Sequence, residues 1–267
     1  MPPASVPVAG GAEIFVPPDP ARWAAADRFI WSLPQKWGNV AARPKECAMK
    51  YVIAAVTAAL VLPSFAAAQA GFDCAKAQTD TEFAICKDAK IAAADLAMTR
   101  AYTALMERAG APLQSLLRAD QRAFLAQRTE SYDTAGTSDA AFERLHFQTE
   151  NRMSMLQRVT LDEVPGLVGT WRSANGTITI APSPDDSSFI TVEAVAADQA
   201  NGSWLCEYSG DLILSGPDSA AMETLGGVFG VARSGAVLII AQPYCSEAGP
   251  TPDGSLQGTY FRIGAES

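Results

Sequence analysis

The chain predicts an α+β protein in two domains, a disulfide-stapled small helical bundle followed by a small antiparallel β-barrel or sandwich. Three observations carry that expectation. Apolar residues recur at helical spacing over about 82–158, they alternate at strand spacing from 169 onward, and each half carries two cysteines, Cys74 and Cys86 in 71–160 and Cys206 and Cys245 in 165–267. Composition shifts at the same point, from Ala, Leu, Arg and Glu to Gly, Ser, Thr, Ile and Val. The segment 161–168, Leu-Asp-Glu-Val-Pro-Gly-Leu-Val, is the expected joint, which gives domains at 71–160 and 165–267.

Ahead of the bundle, residues 49–70 have the pattern of a secretory signal peptide. Lys50 supplies the basic start, 52–62 the apolar run, Pro63 a break, and Ala68 and Ala70 the small residues before a cleavage point. The apolar run is about half of the roughly 20 residues a bilayer span needs, so cleavage that leaves Gly71 first is expected over anchoring. Residues 1–48 show no helical or strand period and read as an upstream extension before the leader's own start at Met49. Phe72 and Asp73 stand where lipid attachment at Cys74 would require small apolar residues. A soluble exported protein without stable membrane insertion is expected.

From Gly71 onward the chain carries 25 acidic and 14 basic side chains. A net charge of about −11 excludes nucleic acid and anionic lipid as natural partners and favours a basic protein. The imbalance is uneven, with 14 acidic against 11 basic residues in 71–164 and 11 against 3 in 165–267. Cys74, Cys86, Cys206 and Cys245 are an even set, which in an exported chain reads as two disulfides. Three pairings are formally open; two cysteines per domain favour Cys74 with Cys86 and Cys206 with Cys245, worth about 3 and 4 kcal/mol on the loop-entropy account. No metal is expected, because there is no Cys-x-x-Cys pair and His146 is the one histidine. No glycine-rich phosphate loop announces a nucleotide, and no cofactor is expected.

Within the bundle, Thr81 is expected to cap a short helix over 82–87. Ile91, Ala94, Met98, Ala101, Tyr102, Leu105 and Ala109 then form a stripe that Gly110 and Pro112 end. A third helix over about 113–127 aligns Leu113, Leu117 and Phe124. A fourth over about 138–158 aligns Phe142, Leu145, Thr149, Met153 and Leu156. Such stripes are the core of a small antiparallel bundle. His146 falls beside Leu145 and reads as a boundary residue.

The succession Phe72-Asp73-Cys74-Ala75-Lys76-Ala77, Glu82-Phe83-Ala84-Ile85-Cys86-Lys87-Asp88, Ala94-Asp95-Leu96, Tyr102 and Gln121-Arg122-Ala123-Phe124-Leu125-Ala126-Gln127-Arg128 resembles the N-terminal domain of the LprI-type lysozyme inhibitor family over about 72–158. The resemblance implies a bacterial periplasmic or secreted protein whose best-described relative inhibits lysozyme. The chain departs from the family in having Phe124 where tryptophan is usual. It also lacks the second cysteine pair that normally follows the position of Arg128: Thr129-Glu130-Ser131-Tyr132-Asp133-Thr134 holds none. Asp95 is expected to pair with an arginine between helices, and Tyr102 and Phe124 are core-sized.

From Gly169 the period becomes that of strands. Residues 170–174 and 177–180 flank Asn175-Gly176, and 189–195 and 204–208 flank Asn201-Gly202, both hairpin signals. Residues 212–214, 227–231, 236–240 and 258–263 supply further strands, seven or eight in all. Gly169-Thr170-Trp171 resembles the opening of small lipocalin-like barrels. Trp204-Leu205-Cys206-Glu207-Tyr208 with Cys245 resembles barrel-type inhibitors of c-type lysozyme. Trp171 and Trp204 are expected in the core, and Asp185-Asp186 in a solvated turn.

One histidine, oxidised cysteines and no serine-centred elbow argue against an enzyme, so no catalytic residue is assigned. The resemblance and the acidity together point to a basic cell-wall hydrolase such as lysozyme as partner, bound by occlusion; the alternative is an envelope binding or structural module. The expected contact surface is the end of the third helix with its following loop: Arg122, Arg128, Tyr132 and Asp133.

Overall fold

Short polar side chains set where the first helices begin. Thr79 accepts from the Glu82 N–H while Glu82 reaches back to the Thr79 N–H, a reciprocal cap that starts α1 at Asp80–Lys87. Asp88 ends α1 and, through Oδ1, accepts from the Lys90 and Ile91 N–H groups to start α2, Ala89–Arg108. The expected cap at Thr81 is corrected: Thr81 lies inside α1 and is buried. Helix α3 runs over Ala111–Thr134 behind Gly110, with Pro112 in its first turn, where a missing N–H costs nothing. Helix α4 runs over Ser138–Arg158, as its stripe predicts. The computed structural model describes residues 69–135, 138–225, 227–245 and 254–264, all within the compact unit Leu62–Ser267. The expectations for 1–48 and for the leader up to residue 68 lie outside the described residues.

The Cys74–Cys86 disulfide ties the segment before α1 to that helix's last turn. Ala70, Ala84, Ile85, Ile91, Ala92 and Leu145 bury one small core around it, with Tyr132 and Phe142 at its edge.

Eight antiparallel strands follow: β1 Gly169–Arg172, β2 Gly176–Pro182, β3 Phe189–Ala197, β4 Leu205–Gly216, β5 Ser219–Thr224, β6 Gly227–Ser234, β7 Val237–Ile240 and β8 Gly258–Ile263. Each pairs with the next, and β8 returns to β1 through Thr170↔Ile263 and Arg172↔Phe261, so the sheet is a closed barrel and not a sandwich. Residues expected as separate strands at 204–208 and 212–214 fall in the single long β4, and β5 enters where none was expected. Between β1 and β2 the turn takes three residues, 173–175, closed by the Ser173 N–H on the carbonyl of Gly176, the first residue of β2. Gly176 thus serves close approach: a Cβ there would lie 2.4 Å from the Val195 carbonyl oxygen.

Alternation fills the barrel. Ile190, Val192, Ala194 and Ala196 of β3 point inward beside Cys206, Tyr208 and Leu212 of β4. Tyr208 stacks on Phe229 at 4.2 Å, and both rings meet Tyr244. Trp171 is fully buried and donates its indole N–H to the Leu167 carbonyl at 2.9 Å; Trp204 is half-buried and packs on the core from one side. The Cys206–Cys245 disulfide joins β4 to the segment after β7. Asp185 and Asp186 are exposed, and Asp186 accepts from the N–H and hydroxyl of Ser188, which holds its carboxyl below the usual range.

Strands β7 and β8 are covered on both sides. Leu238 and Tyr260 face into the barrel, while their neighbours Val237 and Phe261, with Ile263, join Met98, Leu105, Leu117, Phe124, Met155, Leu156 and Val159 in a second core. The chain just after α4 is bonded directly to β8: Val159 bridges to Ile263, Thr160 donates to the Arg262 carbonyl at 3.0 Å, and Gly264 donates to the Arg158 carbonyl at 2.8 Å.

Candidate functional site

Helix α3 turns three of the residues that carry the family resemblance inward. Gln121, Phe124 and Arg128 recur at three, four and seven residues, the spacing of one helical face, and all three are buried. The Arg128 guanidinium donates through Nη1 to Asp95 Oδ1 of α2 at 2.7 Å and lies 3.5 Å from the Thr149 hydroxyl of α4. Asp95 Oδ2 accepts from the Gly71 N–H at 3.0 Å, so both oxygens of this buried carboxylate have donors. One level along, Arg152 of α4 donates through Nη2 to Asp120 Oδ2 at 2.7 Å and through Nε to Gln121 Oε1 at 2.8 Å. The Phe124 ring lies against both cations, 5.7 Å from Arg128 and 5.3 Å from Arg152. Asp120 Oδ1 accepts from the Ala174 N–H at 2.7 Å, which ties this network to the β1–β2 turn.

The expected contact residues therefore separate. Arg128 is only 7% exposed and belongs to the bundle interior. Tyr132 is half-buried, edge-on to Phe142 at 6.0 Å. Arg122 and Asp133 are exposed. The loop expected over 129–133 is corrected: α3 continues as helix to Thr134. Ser131 there is fully buried and accepts from Gln148 of α4 at 3.0 Å, so the extra turns are fastened to α4 without a cysteine pair. Eleven residues make just over three whole turns, which puts Arg122 and Asp133 on one outward face roughly 16 Å apart. Arg118, Ala126 and Glu130 are exposed with them.

Between α3, α4 and the turns β1–β2 and β3–β4 lies a cleft of about 100 Å³, lined among others by Phe124, Arg128, Phe147, Gln148, Arg152 and Arg172. Sequence reasoning missed it, although one signal was present. Three basic residues serve the whole of 165–267. Arg233 pairs with Asp218 at 2.7 Å, and Arg262 donates to the Val168 carbonyl at 2.7 Å and lies over Trp171. Arg172 is the one left over. Burial, and then the nearby Arg158 and Arg152, push its guanidinium below its ordinary range. With arginines, amides and phenyl rings and no carboxylate, imidazole or thiol on its lining, the cleft has binding groups and no acid–base pair.

Residues 73–162 match the family model described as Lysozyme inhibitor LprI. The LprI-type segment thus spans all four helices and ends in the joint, leaving the barrel outside the match. No curated protein and no solved structure matches the chain. Asp95, Gln121 and Arg128, which lie in the segments that carry the resemblance, build the buried network around Phe124. LprI is an inhibitor family, not an enzyme family. The two disulfides fit an oxidising compartment, and no helix among the described residues is long and apolar enough to cross a membrane.

Proposed function

We propose that the protein is exported and inhibits lysozyme by occlusion, through contact and not through bond chemistry. The observation that carries this reading is the LprI match over 73–162, the entire helical part. Its support in the molecule is a rigid helical face, since α3 is locked to α2 and α4 by the Asp95–Arg128 and Asp120–Arg152 pairs. Arg122 and Asp133 lie on that face as the contact groups, with Arg128 and Tyr132 positioning them from within. The net charge of about −11 from Gly71 onward complements a basic hydrolase and speeds encounter.

The test is titration of the chain beginning at Gly71 against c-, g- and i-type lysozymes, reading binding and residual activity at low and high salt. Binding to the c-type enzyme that weakens with salt, and weakens further in Arg122→Glu/Asp133→Lys, is the expected result. No binding to any of the three would favour the envelope-module reading instead.

A further inference from the structure

Arginine side chains in folded proteins find acceptors, and a partly desolvated guanidinium without one is costly. In the cleft above, Arg172 projects from β1 on the opposite side from the buried Trp171 and has no hydrogen-bond or ion-pair partner among the described residues. Its Nε–H is buried and unsatisfied. The Nε–H of Arg128, a residue 7% exposed on the same cleft, also lacks an acceptor. Two acceptors there are equally without donors: Gln127 Oε1 and Gln148 Oε1. Of the five buried side-chain polar atoms without partners among the described residues, four therefore belong to residues that line this one cleft.

Charge selects the missing group. Arg128 is neutralised by Asp95 and Arg152 by Asp120, which leaves one uncompensated positive charge, that of Arg172. No carboxylate lines the cleft, in a chain whose net charge is −9. A single negative charge balances the site, whereas a phosphate brings about −1.5 to −2. The orphan amide oxygens call for hydroxyl or N–H donors on the same ligand, and about 100 Å³ holds only a few heavy atoms. Phe147, 63% exposed at the cleft, offers an apolar wall.

We propose that this cleft is a binding site for a small hydroxylated monocarboxylate, with Arg172 as its anchor. The carboxylate accepts from the Arg172 Nε–H and the Arg128 Nε–H, and the ligand's hydroxyl donates to Gln148 or Gln127. This site is separate from the outward face of α3 assigned to lysozyme contact, and its test does not involve lysozyme.

The experiment uses the intact chain from Gly71 with lactate as probe, and propane-1,2-diol and inorganic phosphate as comparators. Binding is read by NMR titration of the Gln127 and Gln148 side-chain amides and by thermal denaturation. Lactate is expected to give saturable shifts at both amides and a raised Tm, while the diol gives neither. Arg172→Met is expected to weaken lactate at least tenfold and to raise the ligand-free Tm, since it removes a desolvated, unpaired cation; a purely structural arginine would lower it. Gln148→Ala, which leaves the cation in place, is expected to weaken lactate severalfold. Absence of lactate shifts, undiminished lactate binding in Arg172→Met, or phosphate binding tighter than lactate would each overturn the proposal.

Discussion

The helical part and the barrel bury their interiors by opposite means. Every buried polar or charged residue among those described, Thr81, Asp95, Gln121, Arg128, Ser131, Thr149 and Arg152, lies in the helices. The barrel core is apolar apart from the hydroxyls of its tyrosines and the indole N–H of Trp171, and its charges stay outside. A hydrogen-bonded ion pair has one acceptable geometry, whereas an apolar core accepts many side-chain combinations of the right volume. In the helical part Asp95 and Arg128, and likewise Gln121 and Arg152, cannot be exchanged independently, whereas the barrel core is free to exchange one aliphatic residue for another.

The contrast is broken most directly at Asp95. Asp95→Asn leaves the Arg128 guanidinium buried without a counter-charge and is expected to cost roughly 3–5 kcal/mol in urea denaturation. Replacing both members, Asp95→Leu with Arg128→Met, is expected to restore most of that loss, because the penalty belongs to the orphaned charge. A double variant as unstable as the single would mean that the network acts through shape and not through charge.

The two disulfides sharpen the comparison at the next level. Separations of 12 and 39 residues give loop-entropy contributions of about 3 and about 4 kcal/mol. Cys206→Ser/Cys245→Ser is therefore expected to lower the urea midpoint more than Cys74→Ser/Cys86→Ser. Equal losses would show that strain or residual unfolded structure outweighs loop length.

How much of this was legible follows the same division. The stripes gave α2 and α4 with their cores, the alternation gave β8 to the residue, and two cysteines per half gave both disulfides. Asp95 was singled out by the family resemblance, and an arginine on a neighbouring helix was its expected partner, as Arg128 proves to be. The end of α3 was misread because polarity at 129–133 suggested a loop. The stretch contains neither glycine nor proline, and its one buried side chain, Ser131, takes its partner from a distant helix. Closure of the barrel and the solitude of Arg172 depend on pairings between remote segments, on which local pattern is silent. The apolar run Val237-Leu238-Ile239-Ile240 did carry a hint, since continuous apolarity in a strand signals cover on both faces, here the barrel core and the helices.

In the barrel a subtle volume change is the matching perturbation. Ile180→Val removes one methylene from a site 2% exposed and is expected to cost about 1 kcal/mol with an unchanged denaturant slope. A loss as large as that of Asp95→Asn would show that the barrel is as tightly specified as the bundle.

The smallest expected effect lies at the rim of the bundle, in the cap of α1. Glu82 accepts from the backbone N–H groups of Gln78 at 2.7 Å and Thr79 at 3.1 Å, and these bonds, the Gln78 one foremost, hold its carboxyl below the usual value. A carboxyl whose pKa is lowered by folding stabilises the fold above its unfolded pKa, near 4.3, and loses that contribution as pH falls through the folded value. Thr79→Ala removes the other half of the box, the hydroxyl that accepts from the Glu82 N–H, and is expected to cost about 1 kcal/mol at pH 7. Glu82→Gln keeps an acceptor but no charge, so its deficit against the parent is expected to be smaller at pH 7 and to shrink toward the acid end as the parent's own Glu82 takes up its proton. Urea midpoints of the three proteins across pH 2.5–7 measure both. A Glu82→Gln deficit that persists undiminished at the acid end would mean that the side chain acts through its shape and that the charge in the cap is incidental.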